Sequence, residues 1–544
     1  VAMHRHNRND RFIVVCPSSL VVNWAKEFDK FIGKASKPKR VVVRKGGEEG
    51  LQKIKAFVPL KPNTSEVLII SYDLFRMNSA FFSQSTNIGL LVVDEGHRLK
   101  NTSGTKILSA LNSLRCSARL LISGTPIQNN LSEFYNVANF VLPGILGDLN
   151  AFRREYDRPI SASSKKDATN SQKEEGRIVS RGLDKITSAF MIRRLQKDTL
   201  KLFLPPRSET LLFCRPSAEQ CRLYKELTTG SISDSLSTLT KLRKLCSHPD
   251  LLNGPSVGDI GSQDASSCTH AGKLDILEGL LSAIRSENPT DKVIVVSNFT
   301  SALTVIEGYI LKRKGWTSVR LDGTTEQSTR QTLVDSFNRS SADNGFVFLL
   351  SSKAGGCGLN LIGANRLIMY DLDWNPSTDH QAMARIYRQG QKKECFIYRF
   401  MTTGTVEEVI FQRQIQKNLL DTIASKKALR GKSTSFTDEE LKDCFTLKEQ
   451  CKCDTKNKVG SNWEAYDGVD SLLEQDVVDK PLLKLAREKP DVLTYVHIVK
   501  DITPITGEEG AFGSDDDVSS VEESVANEGD WDCFDEDSEA EFEG

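Results

Sequence analysis

The sequence predicts an α/β protein built on two parallel sheets, with a helical stretch between them and an acidic, disordered tail. Short apolar runs rich in β-branched residues, Phe12–Cys16, Val67–Ile70 and Leu90–Val93, end in turn or polar residues. Such continuous hydrophobicity belongs to strands buried on both faces. Each run is followed by amphipathic sequence of helix length, for example Leu20–Phe31 and Gly104–Leu114, which gives the β-α alternation of a sheet covered by helices. A fourth run, Arg119–Ile122, leads into Ser123-Gly124-Thr125-Pro126, and the alternation returns in Lys292–Val296, Ser318–Leu321, Phe346–Leu350 and Arg366–Tyr370.

The pattern divides the chain into four parts. Residues 1–156 form a first lobe. Residues 157–270, polar, charged and helical in spacing with loop-like patches at Ser161–Lys173 and Ser256–Thr269, form an insertion expected to be helical. Residues 271–453 form a second lobe. Residues 454–544 are an extension in which regular patterning weakens, and Gly510–Gly544 is acidic, Ser-rich and poor in apolar residues, the composition of a disordered tail.

An apolar fraction of 39% and a charged fraction of 26% over 544 residues are those of an ordinary globular chain of several domains. No apolar run approaches the ~18 residues of a membrane span, and the first ten residues lack the apolar core of a signal peptide. The net charge of zero conceals an asymmetry: sixteen Asp or Glu and no Lys or Arg follow Gly507, so the preceding residues carry 72 basic against 56 acidic side chains. A basic body with an acidic tail suits a protein that binds polyanions. Twelve dispersed cysteines read as reduced thiols, and the cluster Cys444, Cys451 and Cys453 reads as surface thiols because zinc wants a fourth ligand.

The run Leu90–Val93 delivers Asp94 and Glu95 to the carboxyl end of a parallel strand, where ligands bind. There one carboxylate can hold Mg²⁺, usually through water, and its neighbour can orient or deprotonate an attacking water. Strand-end acids also serve simply to start the next helix. In the later lobe, Gln381, Arg385 and Arg388 fall at i, i+4 and i+7, the spacing of one helix face, and paired guanidiniums suit the charge of a transferring phosphoryl group. Upstream, Ser351–Asn360 follows an apolar run with three glycines that permit close backbone approach to phosphate.

Taken in order, these residues resemble the Swi/Snf family of DNA-dependent ATPases within helicase superfamily two. Val15-Cys16-Pro17-Ser18-Ser19-Leu20 with Asn23-Trp24 looks like its first DNA-contacting motif, Asp94-Glu95-Gly96-His97 like its DEGH box and Ser123–Pro126 like its coupling motif. Leu242–Pro249, Arg320–Thr324, Ser352–Asn360, Asp373-Trp374-Asn375-Pro376 and Gln381–Gln391 complete the resemblance, with Ser247 in place of the usual Asn. Asp94–Asn101, Pro143–Gly147 and Ser351–Arg366 look like the narrower Rad-fifty-four-like branch of recombination-repair translocases.

The resemblance implies two RecA-like lobes that use ATP and Mg²⁺ to move along double-stranded DNA in the nucleus, alongside a RecA-type strand-exchange recombinase and chromatin. It implies catalytic roles for Asp94, Glu95, Arg385 and Arg388, Mg²⁺ at Asp94, and nucleotide contact from Gly358 and Gln381. Coupling falls to His97, Ser123 and Thr125, and DNA contact to Pro17, Ser18, Ser19, Thr324, Ser352 and Lys353. The family's GxGKT phosphate loop is not in this sequence, and Gly431-Lys432-Ser433 fails the spacing because Lys426 stands where its first Gly belongs. With a first residue other than Met, this predicts an N-terminally truncated chain. The rival readings are a catalytically inactive DNA or recombinase scaffold and an RNA helicase of the same superfamily.

Overall fold

The computed structural model describes residues 11–31, 39–58, 66–83, 88–99, 106–124, 131–163, 168–192, 194, 204–229, 235–252, 271–355, 359–415, 438–459, 469–473, 479–499. Gly510–Gly544 and Gly431–Ser433 lie outside them.

Among the described residues five strands make the first sheet: β1 (Arg11–Cys16), β2 (Lys39–Val43), β3 (Glu66–Ser71), β4 (Ile88–Asp94) and β5 (Cys116–Ile122). Their order is β2-β3-β1-β4-β5 and every pairing is parallel. Alternate residues feed two cores, one holding Ile13, Val15, Leu68, Ile70, Leu91 and Val93 and the other Phe12, Val14, Val67, Ile69 and Val92. This is why the strands read as unbroken apolar runs: both faces are covered. The edge strand β5 differs, with Leu120 and Ile122 exposed.

A helical layer follows. The helices Leu131–Val141 and Asn170–Ser188 pack through Leu131, Phe134, Tyr135, Phe152, Ile160 and Leu183. The second of them starts at a capping box in which Thr169 and Gln172 satisfy each other's backbone N–H groups.

The second sheet has seven strands among the described residues: β6 (Arg207–Cys214), β7 (Val293–Ser297), β8 (Ser318–Leu321), β9 (Val347–Ser351), β10 (Arg366–Met369), β11 (Cys395–Thr402) and β12 (Leu493–Val499). Their order is β12-β6-β11-β10-β7-β9-β8, all parallel except the antiparallel β12. The expected boundaries 271–453 are therefore too narrow for this sheet. It takes β6 from the stretch expected to be helical and β12 from the extension. The reason is visible in β6, whose polar start Arg207-Ser208-Glu209 masks a strand because Glu209 is buried against Arg399. The expectation of surface thiols also fails for Cys444 and Cys453, which are buried in the core beside Tyr224 and Val406.

Candidate active site

Three segments of the first sheet converge on Asp94. The strand β4 ends at this residue, and Glu95 turns the chain with φ 55°, the one positive φ outside glycine among the described residues. A side chain in that region costs about 1–3 kcal/mol and persists only where its surroundings enforce it. They do so here. Glu95 N–H donates to Asp94 Oδ1 at 2.9 Å, Trp24 Nε1–H donates to Asp94 Oδ2 at 2.8 Å, and the Tyr72 hydroxyl donates to the Asp94 carbonyl at 2.6 Å. Gly96 completes the elbow: a Cβ there would lie 2.2 Å from Leu121 Cδ2, so any larger residue would have to push the Leu121 side chain aside.

The carboxyl edge of β1 carries the next group. Pro17 is buried and starts a 3₁₀ turn over Ser18–Leu20, closed by Leu20 N–H to the Pro17 carbonyl at 2.8 Å. Ser18 is exposed, and Ser19 Oγ is buried with no hydrogen-bond partner among the described residues. The helix Val21–Phe31 continues from this turn and carries Trp24. Ser123 follows β5, half-buried, whereas Thr125 and the His97 side chain lie outside what is described.

In the second sheet the arginine segment departs from expectation. The helix Pro376–Met383 includes Gln381 but stops before Arg385 and Arg388. Arg385 and Ile386 N–H groups bond to carbonyls three residues back, the Arg385 carbonyl accepts from Leu361 N–H at 3.1 Å, and Gly390 takes φ 103°. Gln391 holds this turn: its buried Nε2 donates to Ala364 and Ile386 carbonyls at 2.8 and 3.2 Å, while its Oε1 accepts from Lys392 N–H at 2.9 Å. The three polar groups therefore do not share one helix face. The backbone is instead stitched to the loop after β9, where Arg388 Nη1 donates to the Leu359 carbonyl at 3.4 Å. Arg385 is buried, and desolvation lowers the Arg388 pKa against the opposing charge of Glu27. Glu27 lies on the same first-lobe helix as Trp24, so the arginine segment is within electrostatic reach of that helix.

Ser352 and Lys353 open the one-turn helix after β9, Ser352 buried and Lys353 exposed; Gly358 lies outside the described residues. Thr324 is exposed, but its hydroxyl and N–H both donate to Asp322 Oδ1, at 2.6 and 3.0 Å. Asp322 in turn pairs with Arg320 at 2.8 Å, and these bonds hold its pKa below the usual carboxylate range despite partial burial.

Behind the arginine segment stands a group that sequence reasoning missed. Asp379 accepts from Gln414 Nε2 at 2.7 Å and Arg399 Nη2 at 3.4 Å, and Arg399 also meets Glu209 at 3.3 Å. Burial pushes the Asp379 carboxyl up to about 7, against the pull of Arg399 and Gln414. Arg243 was quoted only as part of a motif. It donates to the Leu372 carbonyl at 2.8 Å and lies over the Phe299 and Trp374 rings. Trp24 belongs to the stretch that resembles a DNA-contacting motif, and no spacing rule links it to Asp94, seventy residues away.

Mg²⁺ fits this chemistry in one way. Both Asp94 oxygens already accept an N–H group, so the carboxylate suits a hydrated ion held through its water shell. Among the described residues no three His, Cys, Asp or Glu side chains converge as a metal cage, and no helix is long and apolar enough to cross a membrane.

Residues 1–251 match the SNF2-related domain and residues 272–390 the helicase conserved C-terminal domain. The chain is 41% identical over 480 residues to the Gallus gallus DNA repair and recombination protein RAD54B, covering 82% of this chain and 51% of that protein. It is 40% identical over 473 residues to the Schizosaccharomyces pombe DNA repair protein rhp54, covering 82% and 55%. The chain thus spans about half the length of the curated relatives it matches. The Sulfolobus solfataricus SWI2/SNF2 ATPase core in complex with dsDNA aligns at 26% identity over 82% of this chain and 88% of that one, with a TM-score of 0.36.

Proposed function

The chain belongs to the Rad54-like SNF2 ATPases, and from that premise we propose that it is the motor of an ATP-dependent double-stranded DNA translocase acting in homologous recombination and repair. The observation that carries this reading is the elbow at Asp94 and Glu95, where a strained backbone and two donated hydrogen bonds fix a pair of acids at the carboxyl edge of a parallel sheet.

Asp94 would hold hydrated Mg²⁺, an ion that would supply neutralising charge to the triphosphate. Glu95, held at a positive φ just past the end of β4, orients the attacking water and accepts its proton. Arg385 and Arg388 compensate the charge that spreads over the γ-phosphoryl oxygens, with Gln381 and Gly358 contacting nucleotide. Burial of Arg385 strengthens that interaction, since its charge is poorly screened by water. His97, Ser123 and Thr125 report nucleotide state to the DNA-contacting groups. Those are Pro17, Ser18 and Ser19 on one lobe and Thr324, Ser352 and Lys353 on the other, and they read phosphates rather than bases. The partners are duplex DNA, a RecA-type recombinase and chromatin, in the nucleus.

The test is ATP hydrolysis by protein expressed from the complete open reading frame, with duplex DNA, single-stranded DNA or RNA added. Duplex should stimulate most. Stronger stimulation by RNA moves the chain to the RNA helicases, and no hydrolysis with any of the three leaves a scaffold.

A further inference from the structure

We infer that Trp24 is a positioning residue that ties the Pro17–Ser19 turn to the carboxylate of Asp94, so that the seating of one is felt at the other. The inference rests on the ATPase reading above, and its geometry is direct. Trp24 Nε1–H donates to Asp94 Oδ2 at 2.8 Å, while Glu95 N–H holds Oδ1 and the Tyr72 hydroxyl holds the Asp94 carbonyl. Both oxygens and the main chain are engaged, and the indole is one of the restraints on the orientation of the carboxylate.

The indole is itself held. It packs with Phe28, ring centroids 6.2 Å apart, against the core face that includes Cys16, Leu20, Val21 and Val92. Leu20 and Val21 are buried beneath the start of the helix, directly after the turn that begins at buried Pro17. Trp24 lies seven residues beyond Pro17, across the 3₁₀ turn and the first turn of the helix, a span of roughly 10 Å. A shift of the turn when a phosphate docks is therefore passed along a packed helix to the indole and so to Asp94.

Burial alone does not explain why this residue is tryptophan. A phenylalanine or leucine would serve the same apolar contacts, but neither has an N–H, and only the N–H reaches the carboxylate. A hydrogen bond to a charged group is stronger than one between neutral groups, which suits a restraint that must survive DNA release and rebinding.

Trp24→Phe keeps an aromatic ring in the packed site and removes the donor. The expected result is a fall in duplex-stimulated kcat of about tenfold with KM for ATP changed less than about twofold. The Mg²⁺ midpoint should rise, and the factor by which duplex accelerates hydrolysis should shrink. A packing role alone would lower the melting temperature without moving the Mg²⁺ midpoint. Wild-type kcat and Mg²⁺ midpoint in folded Trp24→Phe overturn the inference.

A second measurement does not depend on turnover. The indole ¹⁵N–¹H resonance of Trp24, one of five in the chain, should move in Asp94→Asn and again when duplex DNA is added to the unsubstituted protein. A resonance indifferent to both overturns the inference even where Trp24→Phe does not fold. Absence of hydrolysis in the unsubstituted protein would instead count against the ATPase reading, and the resonance would still decide the contact.

Discussion

The two sheets are held together by different means. In the first, the buried charged side chains of the described strands are Arg11, donating to the Phe57 carbonyl at 2.8 Å, and Glu66, paired with exposed Lys39. In the second, buried charge runs through the core. Lys273 meets Glu407 at 2.6 Å, Arg366 meets Asp291 and Asp479 at 2.8 Å each, and Arg399 meets Glu209 and Asp379. Apolar contacts tolerate small readjustments, whereas a buried ion left without its partner is expensive, so such clusters fix one arrangement. One of them, Arg399 with Asp379, holds the helix that leads into the arginine segment. The second lobe thus presents its arginines from a rigid support, while the first lobe presents its acids from a strained elbow.

Arg388→Ala should cost the most, about 10³-fold in turnover with DNA affinity nearly unchanged, read by steady-state hydrolysis beside a DNA titration. A selective loss of DNA affinity would break the comparison by making Arg388 a backbone contact. Glu95→Gln should lower turnover by about 10²-fold or more while ATP and DNA still bind. Retained hydrolysis would remove the elbow from the chemistry. Glu407→Ala leaves Lys273 buried without its acid and should destabilise the second lobe by roughly 3–5 kcal/mol in denaturant unfolding. Gly96→Ala should destabilise the first lobe by about 1–3 kcal/mol through the clash with Leu121, with part of the loss recovered by Leu121→Ala.

The last effect is a pH dependence. Unfolded, Asp379 releases its proton near the ordinary 3.8, whereas folded it keeps the proton to about 7. Between those values the folded state binds more protons than the unfolded one, so this group makes stability decline as pH rises through the window. Asp379→Asn should flatten that part of a melting-temperature profile, and an unchanged slope would detach the cluster from the titration.

Much of this fold was legible because unbroken apolar runs announce strands covered on both faces, and β1, β3, β4, β7, β9 and β10 are of that kind. The strand β6 was hidden by polar residues satisfied only by groups far along the chain, Glu209 by Arg399. In β12 the buried His497 and Thr494 concealed a strand, Thr494 bonding to the Thr403 hydroxyl at 2.6 Å. At the site, residue types were legible and their geometry was not. The acids were identifiable from their place after an apolar run, but the positive φ of Glu95 depends on tertiary contacts. The arginine spacing suggested a helix face, and only the pull of Leu361 and Gln391 on the backbone shows why the helix ends at Met383.

The pairing of β6 with β11 also bears on how the protein is made. The described strands of the first sheet have all emerged once Ile122 has been synthesised, and they can pair as they appear. Glu209 must wait for a partner 190 residues later, roughly 10–40 s at ordinary rates of translation. Throughout that interval Leu211, Leu212 and Phe213 have helix residues such as Tyr224, Leu245 and Leu277 to pack against but no neighbouring strand, and β12 arrives later still. The nascent second lobe is therefore the stage at which chaperones have most to protect, and slowing translation after β6 should lower the yield of folded protein more than slowing it within the first sheet.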